Sequence, residues 1–146
     1  MEIQINSRKA IPGLKKQTIR RNLTKVLSDL GCHDKELSVL FTDDDDIAQL
    51  NRNYRGKEGP TNVLAFPMTG SSGADIETCL LGDVVISVDT AQKESIELAE
   101  PTTVTINRLL IHGLLHLLGF DHTGSPEDAQ RMEKEEKRLL DLMKEV

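Results

Sequence analysis

The chain has 146 residues, of which 38% are hydrophobic and 29% charged, enough for one domain with its own core over residues 1–146. No apolar run approaches the ~20 residues that a membrane-spanning helix needs, so we expect no membrane association. Cys32 and Cys79 stand far apart, and the opening MEIQINSRKA lacks the basic-then-apolar order of a signal peptide. These features disfavour a secreted disulfide scaffold and predict a cytoplasmic protein.

The net charge of −6 is unevenly distributed along the chain. Residues 1–27 hold seven Lys and Arg side chains against one acid, Glu2, so this segment carries +6 and the remainder −12. A basic first helix, with Arg20 and Arg21 on it, is a candidate contact for RNA phosphates. The simpler interpretation, which charge alone favours, is a solvated helix face.

Hydrophobic periodicity predicts four strands and five helices in the order β-α-β-α-β-β-α-α-α. The predicted strands cover residues 1–6, 36–41, 61–66 and 82–87. The predicted helices cover residues 14–30, 42–50, 89–99 and 102–119, followed by a last helix that begins at Ser125 and Pro126. This order predicts a single α+β domain, with a small mixed four-stranded sheet packed against about five helices. The first helix should link two parallel strands by a right-handed crossover.

Polar residues mark the starts of two predicted helices. The tetraspartate run 43–46 is typical of a first helical turn, where carboxylates bind free N–H groups. A calcium-binding EF-hand loop starting there would need Gly at its sixth position and Glu at its twelfth. Those positions hold Ala48 and Tyr54, so we reject that interpretation. Asp89 with Gln92 resembles a capping box for the third helix.

Three of the four histidines lie in one leucine-rich stretch, IHGLLHLLGFDH, at 111–122. On a helix, His112 and His116 are one turn and about 6 Å apart. Gly119 can adopt the left-handed conformation that ends a helix, which would let the chain turn and aim His122 at the same point. Three nitrogen ligands with an open fourth position are typical of catalytic zinc, one Zn²⁺ per chain. Nickel or another borderline metal suits the same ligands. A core helix whose histidines bond to backbone is the less favoured alternative.

The histidine spacing is that of the metzincin peptidases, with one difference. Their motif begins H-E-x-x-H, in which the Glu is the general base. This chain has Gly113 at that position, which cannot accept a proton. Positioned acid–base catalysis contributes ~10²–10⁴-fold, so an atypical zinc peptidase is disfavoured even though the predicted metal site is not.

Three motifs together resemble those of the YbeY family, bacterial rRNA maturation factors and single-strand endoribonucleases. They are HGLLHLLGFDH at 112–122, LNRNYRGKEGPTNVLAFP at 50–67 and LLGDVVIS at 80–87. They occur in the family's order, and the chain length also fits. One departure is Ala65, where the family commonly has serine, and we expect little effect from it. Residues 1–45 carry no diagnostic motif.

The resemblance implies a zinc-binding fold whose central helix carries the ligands, with His112, His116 and His122 as the three. It also implies a catalytic function for Arg55, the arginine of the YRG motif. The implied activity is processing of the 3′ end of small-subunit rRNA and ribosome quality control. The implied partners are rRNA, the small ribosomal subunit and assembly factors.

Other residues near these motifs are weaker candidates. An arginine can bind a phosphoryl group bidentately, and Arg55 would do so; Arg52 and Lys57 beside it are candidate RNA contacts. Asp121 and Asp83 are candidates to hold a histidine ring or a water molecule. Asp121 could equally cap the turn after Gly119, and Asp83 could simply begin its strand. Tyr54 is the one plausible residue for stacking on an RNA base.

The sequence therefore supports three hypotheses in descending order. The first is a zinc-dependent endoribonuclease of rRNA maturation. The second is a zinc-stabilised ribosome-assembly or RNA-binding factor without intrinsic cleavage. The third is an atypical zinc peptidase, against which Gly113 argues.

Overall fold

A computed structural model describes residues 2–11, 13–32, 34–67, 80–120 and 124–144. Within them lie four strands and five helices in the predicted order. Their bounds are β1 Glu2–Ser7, α1 Lys16–Asp29, β2 Glu36–Thr42, α2 Asp44–Arg55, β3 Val63–Pro67, β4 Leu80–Ser87, α3 Val88–Glu97, α4 Thr102–Leu117 and α5 Pro126–Lys144. The predicted α+β class is confirmed. No helix within the described ranges is both long and apolar enough to cross a membrane.

The four strands form one mixed sheet in the order β1-β2-β4-β3. Strands β1, β2 and β4 are parallel, and β3 runs antiparallel to β4 at the edge. The parallel pairing of β1 with β2 across helix α1 confirms that part of the prediction. The alternating side chains of the edge strand β3 reach both faces of the sheet.

The main core lies on the face of the sheet that is covered by α4. Helix α4 contacts β3, β4, α3 and α5, and α1 packs against β1 and α5. Side chains such as Leu114 and Leu115 of α4 are fully buried, as expected for a helix that is apolar nearly all round. The opposite face carries a smaller cluster, in which Ile47 of α2 packs with Leu64 and Val85.

Side-chain oxygens cap the starts of helices α2, α3 and α5. Asp43 caps α2, since its carboxylate accepts a hydrogen bond from the Asp46 N–H at 2.9 Å, which confirms the tetraspartate interpretation. Ser125 caps α5 by accepting from the Asp128 N–H at 3.1 Å, as predicted. The predicted capping box of α3 is wrong in detail. Its cap is Ser87, whose hydroxyl accepts from the backbone N–H of residue 90 at 3.2 Å.

The prediction that the second helix ends at Leu50 is also wrong. Helix α2 continues to Arg55 and is followed by Gly56, its C-terminal cap, which has a left-handed φ of 66°. Residues 51–53 are all polar, so hydrophobic periodicity did not predict this extension. Asn51 is nevertheless buried, and its side-chain amide donates to the Gly59 carbonyl at 2.9 Å. The added turn places Arg55 at the end of a helix rather than in a loop.

Candidate active site

The two helical histidines of α4 point their Nε2 atoms at each other. The Nε2 atoms of His112 and His116 lie 3.1 Å apart, and the two rings meet edge-on with centroids 4.6 Å apart. Two nitrogens bound to one tetrahedral zinc at about 2.0–2.1 Å each would lie roughly 3.3 Å apart. The spacing of these two atoms therefore fits a shared metal ion.

Helix α5 supplies an acidic partner for the first histidine. The Glu136 carboxylate lies 2.6 Å from Nδ1 of His112, and both side chains are about one-quarter exposed. A carboxylate accepts hydrogen bonds, so the Nδ1–H of His112 is the donor. In the neutral ring Nε2 then keeps its lone pair, the state that binds a metal.

Glu136 was missed by sequence reasoning, although a signal was present. Met132, Leu139 and Met143 form the buried stripe of α5, and residue 136 falls at helical spacing within that stripe. A glutamate at an apolar position of an amphipathic helix needs a partner. Only the packing of α5 on α4 identifies that partner as His112.

Gly119 ends the histidine helix as predicted. Its φ is +95°, and its N–H donates to the His116 carbonyl at 3.1 Å. The Phe120 N–H donates to the Leu115 carbonyl at 3.0 Å, which completes a Schellman motif. Helix α4 therefore ends directly after the histidine pair.

The predicted third ligand, His122, lies outside the described residues, as does Asp121. Among the residues that are described, no group of three or more His, Cys, Asp or Glu side chains is placed to hold a metal ion. The described part of the site thus contains two converging imidazoles and the Glu136 carboxylate behind one of them. The three-histidine site stays a prediction.

A pocket of about 560 Å³ joins the histidine pair to the cationic end of α2. Arg55, Lys57, His112 and His116 all line it, and several residues between positions 61 and 67 contribute part of its wall. Both cationic side chains are exposed, so they can move toward a ligand. The arrangement suits a negatively charged molecule that reaches the histidine nitrogens.

Backbone and amide contacts hold the wall of this pocket. The Asn62 side-chain amide donates to Glu94 of α3 at 2.8 Å, and the Asn62 carbonyl accepts from the Ser87 N–H at 3.0 Å. Asn51 fastens the segment after α2 through Gly59. These contacts fix the ends of the segment that carries Lys57.

The family of this chain follows from comparisons with known proteins. A model of the family described as endoribonuclease YbeY matches residues 2–144. The chain belongs to the endoribonuclease YbeY family. Endoribonuclease YbeY of Syntrophotalea carbinolica is 40% identical over 144 residues, which are 98% of this chain and 96% of the relative. The Aquifex aeolicus endoribonuclease YbeY is 41% identical over 132 residues, covering 87% and 86% of the two chains.

A solved structure shares the fold. The solution structure of TM1509 from Thermotoga maritima aligns with a TM-score of 0.67 and covers 97% of this chain and 88% of its own. The two sequences are 22% identical, so this likeness concerns the fold. Membership of the YbeY family confirms the resemblance seen in the three sequence motifs.

Packing explains why this YbeY chain has glycine after its first histidine. A Cβ atom on Gly113 would lie 2.8 Å from Cγ1 of Val84 and 3.2 Å from Cγ2 of Val63. Val84 is buried and β-branched, so it has little freedom to yield. The side of α4 that carries residue 113 therefore rests directly on the sheet. The peptidase glutamate would have no room there.

The remaining sequence-predicted residues lie away from the histidine pocket of this YbeY chain. Arg52 lines a different pocket, beside the aspartates of the α2 first turn. On α1, the Arg20 guanidinium donates to the Ile3 carbonyl at 3.4 Å and Arg21 is exposed. Asp83 alternates with Val84 on β4 and so faces the opposite side of the sheet. Among the residues that line the histidine pocket, none of these side chains appears, so the structure adds no support for the roles suggested from the sequence.

Proposed function

We propose that this protein is a zinc-dependent single-strand endoribonuclease that acts in rRNA maturation, with His112, His116 and His122 as metal ligands and Arg55 as a catalytic residue. The single observation that carries the proposal is that Arg55 lines the same pocket as His112 and His116. The relatives named above are endoribonucleases by name. The proposed setting is the cytoplasm, with the small ribosomal subunit and its assembly factors as partners.

The histidine pair supports the metal part of the proposal. The 3.1 Å between the two Nε2 atoms suits a shared divalent ion, and Glu136 orients one ring for it. The chemistry that such an ion supplies to RNA cleavage is Lewis-acid activation of the phosphodiester. The chain itself positions the ligand nitrogens and fixes the proton of His112 on Nδ1.

The cationic side of the pocket supports the choice of a phosphodiester as substrate. An arginine guanidinium can donate two parallel hydrogen bonds to a phosphoryl group, and it stabilises negative charge that develops during cleavage. Lys57 adds a second, less directional positive charge. A peptide bond is neutral and offers no negative charge with which these two cations could pair. A peptidase base at position 113 is also absent.

The proposal is tested by elemental analysis combined with an RNA cleavage assay on rigorously purified protein. We expect about one zinc per chain and metal-dependent cutting of a single-stranded RNA. Arg55→Ala should lower the cleavage rate by about 10²-fold or more. It should retain the metal and the melting temperature, because Arg55 is exposed and buries no core surface.

Arg131→Ala is the matched control, since Arg131 is an exposed arginine of α5 outside the histidine pocket. It should cleave like the wild type. If metal-loaded wild-type protein cuts no RNA, the enzyme proposal fails and the assembly-factor hypothesis gains. If Arg55→Ala cleaves at the wild-type rate, the role proposed for Arg55 is wrong.

A further inference from the structure

The sheet face opposite α4 carries a groove of about 770 Å³. Its floor includes a row of neighbouring side chains on three strands. Ser38 of β2 is the register partner of Asp83 on β4, and Asp83 is the register partner of Phe66 on β3. Directly opposite residues of an antiparallel pair, such as Asp83 and Phe66, have Cβ atoms about 4.5–5.5 Å apart. The row therefore places a hydroxyl, a carboxylate and an aromatic ring side by side.

Tyr54 extends this row beyond the edge of the sheet. Its side chain is 70% exposed, and its ring packs edge-on against Phe66 with the centroids 5.2 Å apart. An exposed ring held in place by a second ring is a suitable platform for a nucleobase. The chain has one tyrosine and three phenylalanines, so few aromatic rings are available, and the one on Tyr54 lies at the surface rather than in the core.

Asp83 gives the groove a means of reading a base. It is half-buried, and within the described part of the chain no hydrogen bond or ion pair reaches its carboxylate. Two carboxylate oxygens pair best with two adjacent N–H donors. Among the RNA bases, only guanine presents two such donors side by side on its Watson–Crick edge. The other bases place an acceptor next to each donor, which a carboxylate repels.

The rim of the groove is cationic. Arg8 and Lys16 line it, and both are exposed, whereas Asp83 is the only carboxylate among the lining residues within the described ranges. Arg8 also contacts Asp46 at 2.7 Å, which leaves Lys16 as the better placed cation. Positive charge beside this groove suits the phosphates of a nucleotide.

The groove and the histidine pocket meet along the edge strand β3. Phe66 faces the groove, while its neighbours Ala65 and Pro67 line the histidine pocket. In the same way, Tyr54 lines the groove and Arg55 lines the histidine pocket. A single RNA strand that crosses this edge would contact both.

We propose that this groove binds a guanine base of the RNA strand whose phosphodiester occupies the histidine pocket, with Tyr54 stacking on the base and Asp83 accepting hydrogen bonds from its edge. This inference rests on the proposed function, because it assigns to the same enzyme a base preference near its cleavage site. Lys16 contributes charge to the neighbouring phosphate.

The test is an NMR titration of the isotope-labelled full chain with GMP, AMP, CMP and UMP. GMP should bind most tightly and shift the backbone amides of Ser38, Asp83 and Phe66. Asp83→Asn should weaken GMP binding by between about 5- and 150-fold and abolish the preference for it. Tyr54→Ala should weaken all four nucleotides, whereas Tyr54→Phe keeps the ring and should restore binding.

Glu97→Gln is the control, because it removes the same charge from an exposed site on α3. It should leave the GMP preference unchanged. The inference is overturned if GMP shifts no amide in the groove, or if Asp83→Asn keeps the wild-type preference while folded by circular dichroism. Mononucleotide binding requires no cleavage. Loss of RNA cutting with intact GMP shifts would therefore reject the proposed function and leave the groove supported.

Discussion

The carboxylate of Glu136 lies 2.6 Å from Nδ1 of His112 and so joins helix α5 to the histidine helix α4. The contact links residues 24 positions apart in sequence. It fixes which ring nitrogen carries the proton and holds the imidazole plane. Helix α5 therefore contributes to the proposed metal site as well as to the core.

Glu136→Ala should lower zinc affinity by about 10- to 100-fold, because the ring of His112 would lose the group that orients it. The measurement is competition for zinc against a chelating dye. Glu133→Ala is the matched control, since Glu133 lies on the same helix and its side chain is 70% exposed and paired with Lys137. Equal zinc affinities for the two variants would contradict the role proposed for Glu136.

His116→Ala should reduce the zinc content of purified protein well below one per chain. It should also lower the melting temperature of the zinc-loaded protein, because binding free energy adds to folding free energy. Elemental analysis and thermal melts with and without a chelator check both results. In the apo state the variant and wild type should melt closer together. Unchanged zinc content in His116→Ala would reject the proposed ligand set.

Features that depend on neighbouring residues were predictable from the sequence, whereas contacts between distant segments were not. Gly119 and the histidine spacing act within one helix end, so the sequence alone predicted the turn that the structure has. The extension of α2 to Arg55 was missed because Asn51 is buried for its hydrogen bond rather than for apolar surface. Periodicity counts only apolar residues, and it cannot detect that kind of burial.

The face on which a residue lies and its distant partner depend on how elements pack. Asp83 belongs to the motif LLGDVVIS. Its neighbour Val84 faces α4, so Asp83 faces the opposite side of the sheet, away from the histidines. Glu136 meets His112 only because α5 packs on α4. Such relationships are set by tertiary contacts between segments far apart in sequence, and one sequence carries no direct sign of them.

Acid should remove a part of the stability that comes from Asp46. The Thr42 hydroxyl donates to its carboxylate at 2.6 Å and lowers the Asp46 pKa below the usual 3.8; partial burial opposes this shift and Arg8 adds to it. Because the folded-state pKa is the lower one, the stabilisation is present above about pH 4 and is lost as pH falls through the folded pKa.

Asp46→Asn should therefore cost less than about 1 kcal/mol at pH 7, since the Arg8 partner is largely exposed. The deficit should shrink at pH 2. Urea unfolding at both pH values measures it. Asp45→Asn removes the same charge from an exposed neighbour in the same helical turn and controls for the helix dipole. A deficit of equal size at pH 7 and at pH 2 would contradict the assignment.

Gly113→Ala should destabilise the protein, although alanine normally stabilises a helix interior by about 1 kcal/mol relative to glycine. The added Cβ would meet Val84 at 2.8 Å, and overpacking of this kind costs about 1–3 kcal/mol. Each kcal/mol corresponds to roughly 2–4 °C in melting temperature for a chain of this size. In a Val84→Ala background the penalty should fall, because both contacting methyl groups of Val84 are gone and only the 3.2 Å contact with Cγ2 of Val63 is left of the three nearest. The double-mutant cycle therefore separates a steric cost from an effect on backbone flexibility. A stabilised Gly113→Ala variant would show that the sheet can yield and that packing does not explain the glycine beside the first histidine.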